Sequence, residues 1–170
     1  LDAGGGVWAL VACKGLATGA PRLVSGSKDK KVRVFDPLAG GEALVVLEGH
    51  GREVRALTAF TDPATGEPRL VSGSGDVRVW NPAAGGAAIE AEPEGHSAHI
   101  RALVTFVDPA TGALRVATGS SDGIRVWDAE SGGALLVIKR GASALAVFKD
   151  PATADSALPN GKTALLVACD

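Results

Sequence analysis

Arg22-Leu23-Val24-Ser25-Gly26-Ser27 returns as Arg69-Leu70-Val71-Ser72-Gly73-Ser74, and again as Arg115-Val116-Ala117-Thr118-Gly119-Ser120. Behind each copy come an aspartate and a second apolar run: Val32-Arg33-Val34-Phe35-Asp36, Val77-Arg78-Val79-Trp80-Asn81 and Ile124-Arg125-Val126-Trp127-Asp128. Successive copies lie about 46 residues apart, so one unit is used three times.

Within a unit the local chemistry is that of strands. β-Branched runs of a few residues are separated by Gly, Pro, Asp and Ser clusters, and no window has room for a long helix. The second unit reads as strands near 42–48, 54–60, 68–74 and 77–81, with Gly73 to Asp76 supplying the tight turn between the last two. Asp62-Pro63-Ala64-Thr65-Gly66 recurs as Asp108 to Gly112 and, altered, as Asp150 to Ala154. Pro fixes one dihedral and Gly permits a positive one, which makes this a turn cassette. Leu44-Val45-Val46-Leu47 and Leu135-Leu136-Val137-Ile138 are apolar on both faces, where a sheet with one wet face would alternate. Small sheets stacked face to face, both sides buried, are the arrangement this predicts.

Composition narrows the function classes. The chain has 170 residues, room for one domain with a real core. Lys plus Arg is 17 against 19 Asp plus Glu, a net charge of -2 that offers no broad positive field for a phosphate backbone, so nucleic acid is not an expected partner. At 46% hydrophobic and 21% charged the chain is too apolar to stay unfolded. Its apolar runs fall far short of the roughly 20 residues of a membrane span, so no membrane is expected either. With no Met in the sequence, the chain reads as a fragment or a processed product. Cys13 and Cys169 sit near opposite ends at a spacing that matches no metal or redox motif, and both are expected as free thiols.

The units resemble the repeats of WD-repeat β-propellers, in which four-stranded antiparallel blades surround a central channel. Gly49-His50 and Gly95-His96 match the family's Gly-His pair and Trp127-Asp128 its Trp-Asp pair, with Trp80-Asn81 and Phe35-Asp36 as degenerate versions. The resemblance spans nearly the whole chain and implies an all-β fold: a partial, open β-propeller of three four-stranded blades plus a two-stranded half blade. The single unit is expected over 1–170, with blades at about 7–48, 54–92 and 99–140 and the half blade at 143–168. Mapped onto matching positions, it implies two buried structural tetrads, His50 with Ser72, Asp76 and Trp80, and His96 with Thr118, Asp122 and Trp127.

The departures from the family pattern carry expectations of their own. Phe35 stands where Trp is usual, so the first tetrad lacks its indole donor. Ser72 to Trp80 spans 8 positions, against 10 from Ser25 to Phe35 and 9 from Thr118 to Trp127, and the odd step in the third hairpin calls for a bulge. Apolar segments 144–148 and 164–168 match the first two strands of a further blade, and there the pattern stops. An open arc exposes an apolar blade face at each end and an unpaired strand edge.

What the resemblance implies is a non-catalytic protein-interaction scaffold that completes its ring or arc with another chain. The alternative is a structural unit that self-assembles through its blade faces and final edge strand. By family analogy the contact face carries the Gly-His loops and tight turns, where Lys28, Glu53, His99 and Ser121 are the candidate partner-binding residues. No enzyme chemistry is expected. The His, Ser and Asp of each tetrad recur with the Trp and do not read as a hydrolase triad. Ser156 occupies the place of the first glycine of a phosphate loop ending at Gly161-Lys162-Thr163. His96 and His99 have no third ligand nearby, so no metal is expected, and no cofactor. The Lys28, Lys30 and Lys31 cluster contains Asp29 and reads as a solvated turn.

Overall fold

A computed structural model gives the fold and describes residues 2–15, 19–62, 65–88, 90–92, 96–108, 110–149 and 164–169. The described chain is all-β. The first sheet holds β1 (Val7–Lys14), β2 (Pro21–Ser27), β3 (Val32–Phe35) and β4 (Val45–Leu47). The second holds β5 (Ala56–Thr61), β6 (Pro68–Gly73), β7 (Val77–Trp80) and β8 (Glu90–Glu92). The third holds β9 (Ile100–Val107), β10 (Leu114–Ser120), β11 (Gly123–Asp128) and β12 (Ala134–Ile138). A last pair, β13 (Ala144–Lys149) and β14 (Ala164–Cys169), forms a two-stranded sheet. In each four-stranded sheet the strands pair antiparallel in chain order. The first strands, β1, β5, β9 and β13, pack one against the next. The fold is thus a partial β-propeller of three blades and a half blade, as the repeat implies.

The repeat also builds the joints between blades. Backbone N–H groups of Val54, Ile100 and Ala142, at the entry to each following sheet, donate to the carbonyls of Ser27, Ser74 and Ser120 at 3.1, 2.6 and 2.9 Å. The preceding glycine makes this approach possible. A Cβ at Gly26 would stand 2.7 Å from Val54 Cγ1, and at Gly119 it would stand 3.1 Å from the Ala142 carbonyl oxygen. Val54 and Ile100 are fully buried there. One core, with Val24, Val32, Leu47, Leu70 and Trp80, lies between the first two blades, and a second, with Val71, Val77, Leu103, Val116 and Trp127, between the next two.

The turn cassette serves as a hairpin turn. Gly66 N–H donates to the Asp62 carbonyl and Gly112 N–H to the Asp108 carbonyl, with φ of 71° at both glycines. Gly15 and Gly19 build the same turn in the first blade, with φ 64° at Gly19. The altered copy at Asp150 to Ala154 and the phosphate-loop reading at Ser156 and 161–163 lie outside the described residues, as does Gly95.

Two expectations are corrected. The third hairpin needs no bulge: β10 and β11 pair without a register shift from Arg115↔Asp128 to Ser120↔Gly123. The extra residue enters the turn, where Gly123 adopts φ 144°. The apolar outer strands are not buried on both faces either. All five residues of β12 are exposed, as are Leu44 and Val46, because an outer strand is covered only where the next sheet reaches that far.

Candidate functional site

The residues of the two tetrads converge at the end of the blades that carries the β2–β3, β6–β7 and β10–β11 turns. His50, in the β4–β5 connection, places Nδ1 2.6 Å from Asp76 Oδ1 and Nε2 2.6 Å from Ser72 Oγ. Trp80 Nε1 donates to the same Ser72 Oγ at 2.7 Å. The Asp76 carboxylate can only accept, so His50 Nδ1–H donates to it, and in the neutral ring Nε2 then accepts the Ser72 hydroxyl hydrogen. The Ser72 oxygen in turn accepts the indole N–H. Each member is satisfied and the chain of bonds has one direction.

The second set repeats the geometry. His96 Nδ1 lies 2.5 Å from Asp122 Oδ1 and Nε2 lies 2.7 Å from Thr118 Oγ1, which takes the Trp127 Nε1 hydrogen at 3.0 Å. Both ring nitrogens of His96 are therefore used within the set. Ser97 adds its N–H and hydroxyl to Asp122 Oδ2. In the first blade the pattern is broken: Phe35 is buried without a donor, and Ser25 Oγ is buried with no hydrogen-bond partner.

These contacts set the electrostatics. Burial pushes the Asp76 carboxyl up, but the hydrogen bonds from His50 and Arg78 outweigh it and bring the pKa down to about 2. Asp122 is opposed by burial in the same way and held well below the usual carboxylate range by His96 and Ser97. Burial lowers the His96 pKa, and the Arg125 charge adds to that against the pull of Asp122.

Sequence reading passed over the arginine in the middle of each third strand. Arg33 Nη2 reaches Asp29 Oδ2 at 2.6 Å, Arg78 Nε reaches Asp76 Oδ2 at 2.6 Å, and Arg125 touches Asp122 at 3.4 Å. Arg125 Nη1 also contacts His96 Nδ1. The signal was the recurrence of Val-Arg-Val or Ile-Arg-Val beside the turn aspartate. Arg22 and Arg115, at matching places in the first and third units, likewise pair with Asp36 and Asp128. Those residues also cap the turns into the outer strands: Asp36 Oδ1 accepts from the Leu38 and Ala39 N–H groups, and Asp128 Oδ1 from those of Glu130 and Ser131.

Of the four candidate contact residues, Lys28 and Ser121 are exposed in the β2–β3 and β10–β11 turns, and Glu53 and His99 are half-buried before β5 and β9. Three are neighbours in charge. The Arg55 hydrogen bond, with the Arg55, Lys28 and His99 charges, holds the Glu53 carboxyl below its ordinary value. Arg55 grips Glu53 Oε2 through Nε and Nη2 at 3.1 and 2.7 Å, and lies 4.6 Å from the centre of the Trp8 ring. Ser121 is not drawn into this group. The lysine cluster is a turn: Lys31 pairs with Glu48 at 2.6 Å, and Lys30 takes φ 72°. Cys13 is a free thiol, partly buried against the first core. Among the described residues no cluster of His, Cys, Asp and Glu could hold a metal ion.

Residues 4–36 match the family model described as WD domain, G-beta repeat. The match covers β1 to β3 of the first blade and bears out the WD-repeat resemblance drawn from the motifs. A comparison with curated proteins finds no match. A WD repeat suggests a protein-interaction scaffold.

Proposed function

We propose that the chain acts as one non-catalytic unit over residues 1–170, a WD-repeat scaffold whose arc is completed by association with another chain. The observation that carries the reading is the uncovered apolar surface at both ends of the row of blades. Leu10 and Val46 alternate with Val11 and Val45, which pack into the first core, so they lie on the other face of the first sheet, 61% and 42% exposed. At the far end Leu136 and Ile138 are uncovered. Burying about 600 Å² of such surface at each end would contribute on the order of 15 kcal/mol before association costs. In this reading the tetrads are structural, fixing the loops of the contact face, and Lys28, Glu53, His99 and Ser121 contribute to partner binding.

Self-assembly is the second form of the reading, favoured by the presence of apolar surface at both ends of one molecule. Light scattering at micromolar concentration separates the two: a particle that grows with concentration supports self-assembly, and a monomer that binds an apolar dye strongly supports a different partner chain. A monomer that binds no such dye overturns both.

A further inference from the structure

The two ends of the blades differ in charge, a difference that the net charge of -2 conceals. At the end that carries the tetrads, residues 28–33, 48–55, 74–78, 96–101 and 121–125 hold nine Lys and Arg against five Asp and Glu. At the opposite end, residues 14–22, 36–44, 62–69, 108–115 and 128–133 hold four against seven. Each arginine of the opposite end is neutralised: Arg22 by Asp36, Arg69 by Asp62 and Glu67, and Arg115 by Asp108 and Asp128. At the tetrad end Lys28, Lys30, Arg52 and Arg101 are exposed and in no ion pair with a described residue. The field of this end is therefore positive.

The repeat itself shows what one of these cations lacks. Arg55 and Arg101 each follow the residue that closes a joint, Val54 on Ser27 and Ile100 on Ser74, so they hold the same place at the heads of β5 and β9, which pack together. Glu53, two residues before Arg55, occupies its guanidinium through Nε and Nη2. The residue two before Arg101 is His99, which offers no carboxylate, and Arg101 stays uncompensated. Around it the field is reinforced. The Arg52 side chain lies over the β6–β7 turn, where a Cβ at Gly75 would stand 3.4 Å from Arg52 Cδ, and Lys28 is near enough to Glu53 to help hold its carboxyl down. Both joints lie between complete four-stranded sheets, so these side chains are exposed on connections and strand heads and not on an uncovered sheet face.

We propose that this face binds an acidic peptide segment, one carboxylate of which takes Arg101 as Glu53 takes Arg55 while others meet Arg52 and Lys28. The proposal rests on the scaffold reading, whose contact face it uses, and names the partner chemistry. A nucleic acid fits this face less well. Its phosphates follow one another at about 3.4 Å of axis per strand, whereas the carboxylates of Asp29, Glu53, Asp76 and Asp122 stand among the cations and would meet some of them. A peptide can set neutral residues opposite those carboxylates.

The probe is fluorescein-labelled hexaglutamate, titrated with the full chain at low salt and followed by fluorescence anisotropy. It should bind saturably at one to one and lose affinity as salt rises. Arg101→Glu combined with Arg52→Glu should weaken binding more than tenfold, because each change removes an attraction and adds a repulsion. Glu53→Gln should tighten it several-fold, since Arg55 is released and a repelling carboxylate is gone. Lys14→Glu, a charge reversal at the opposite end, should leave binding unchanged, and all these variants should keep the β-sheet circular dichroism of the parent. Absence of saturable binding by a chain with that circular dichroism intact overturns the proposal, as does binding indifferent to the Arg101 and Arg52 changes. Tighter binding of hexathymidylate under the same conditions also overturns it, by making the face one for phosphate. If hexaglutamate fails while the chain remains a dye-binding monomer, the acidic partner falls and the scaffold reading stands. If the dye fails as well, both fall.

Discussion

Any Cβ at Gly73 would stand 2.7 Å from Cγ2 of Ile100, across the joint between the second and third blades. Ile100 is fully buried and its N–H is bonded to the Ser74 carbonyl, so neither side can withdraw. Gly73→Ala should therefore destabilise by about 1–3 kcal/mol, the range of overpacking in a closed core. Gly75→Ala, whose nearest neighbour is the Arg52 side chain at 3.4 Å, should change stability by less than about 0.5 kcal/mol. Urea denaturation midpoints compare the two, and equal costs would show that the blades do not meet at this glycine.

Ser72 and Ser25 occupy equivalent positions with opposite bonding. Ser72→Ala removes the acceptor of the Trp80 indole N–H and the donor to His50 Nε2, leaving buried groups unpaired, so a loss of about 2–4 kcal/mol is expected. Ser25 Oγ has no partner to lose, and Ser25→Ala should be neutral or slightly stabilising. Thermal melts of the two variants check the contrast. Similar losses would mean that the hydroxyl contributes through packing and not through the tetrad.

How much of this was legible in the sequence follows from what each feature depends on. The blades and the tetrads were legible because His50, Ser72, Asp76 and Trp80 return in phase as His96, Thr118, Asp122 and Trp127, and a phased set can be read without coordinates. The extra residue of the third hairpin was visible as a count but not as a place. Gly123 could take a positive φ, so the residue went into the turn and spared the ladder. The exposure of Leu136 and Ile138 was not legible, because the burial of an outer strand is a property of the neighbouring sheet. The partners of Arg33, Arg78 and Arg125 were missed for a related reason: the reach of a long side chain from a strand to a turn depends on hairpin geometry.

Acid should unfold the protein in two stages. The His96 pKa is depressed in the folded state, so the unfolded chain takes up the proton first and stability falls as pH drops below about 6.5. Asp76 titrates at about 2 in the folded protein against 3.8 ordinarily. Its contribution of about 2 kcal/mol is complete above about pH 4 and is lost as pH falls towards 2. Asp76→Asn should shrink the lower stage, to which Asp122 also contributes, and leave the upper one in place, as read from urea midpoints measured across pH. A variant that kept the lower stage unchanged would remove Asp76 as one of its sources.

Glu53, Arg55 and Trp8 give the candidate contact face an optical reporter. Trp80 and Trp127 are buried, whereas Trp8 is 51% exposed, so a quencher in solution reads mainly Trp8. Its ring lies 4.6 Å from the Arg55 guanidinium, whose charge is offset by the Glu53 carboxylate at 2.7 Å. Glu53→Ala removes that offset and leaves a more positive field beside the ring, which gathers anions and repels cations over a Debye length of about 8 Å at physiological salt. Quenching by iodide should rise and quenching by caesium should fall, while neutral acrylamide should quench as before. Because the Glu53–Arg55 pair is partly solvated, the melting temperature should stay close to that of the parent. Raising the salt concentration should erase the difference between iodide and caesium. A parallel change in all three quenchers would mean that Trp8 has moved, and that Glu53 holds the position of the strand and not the charge of the face.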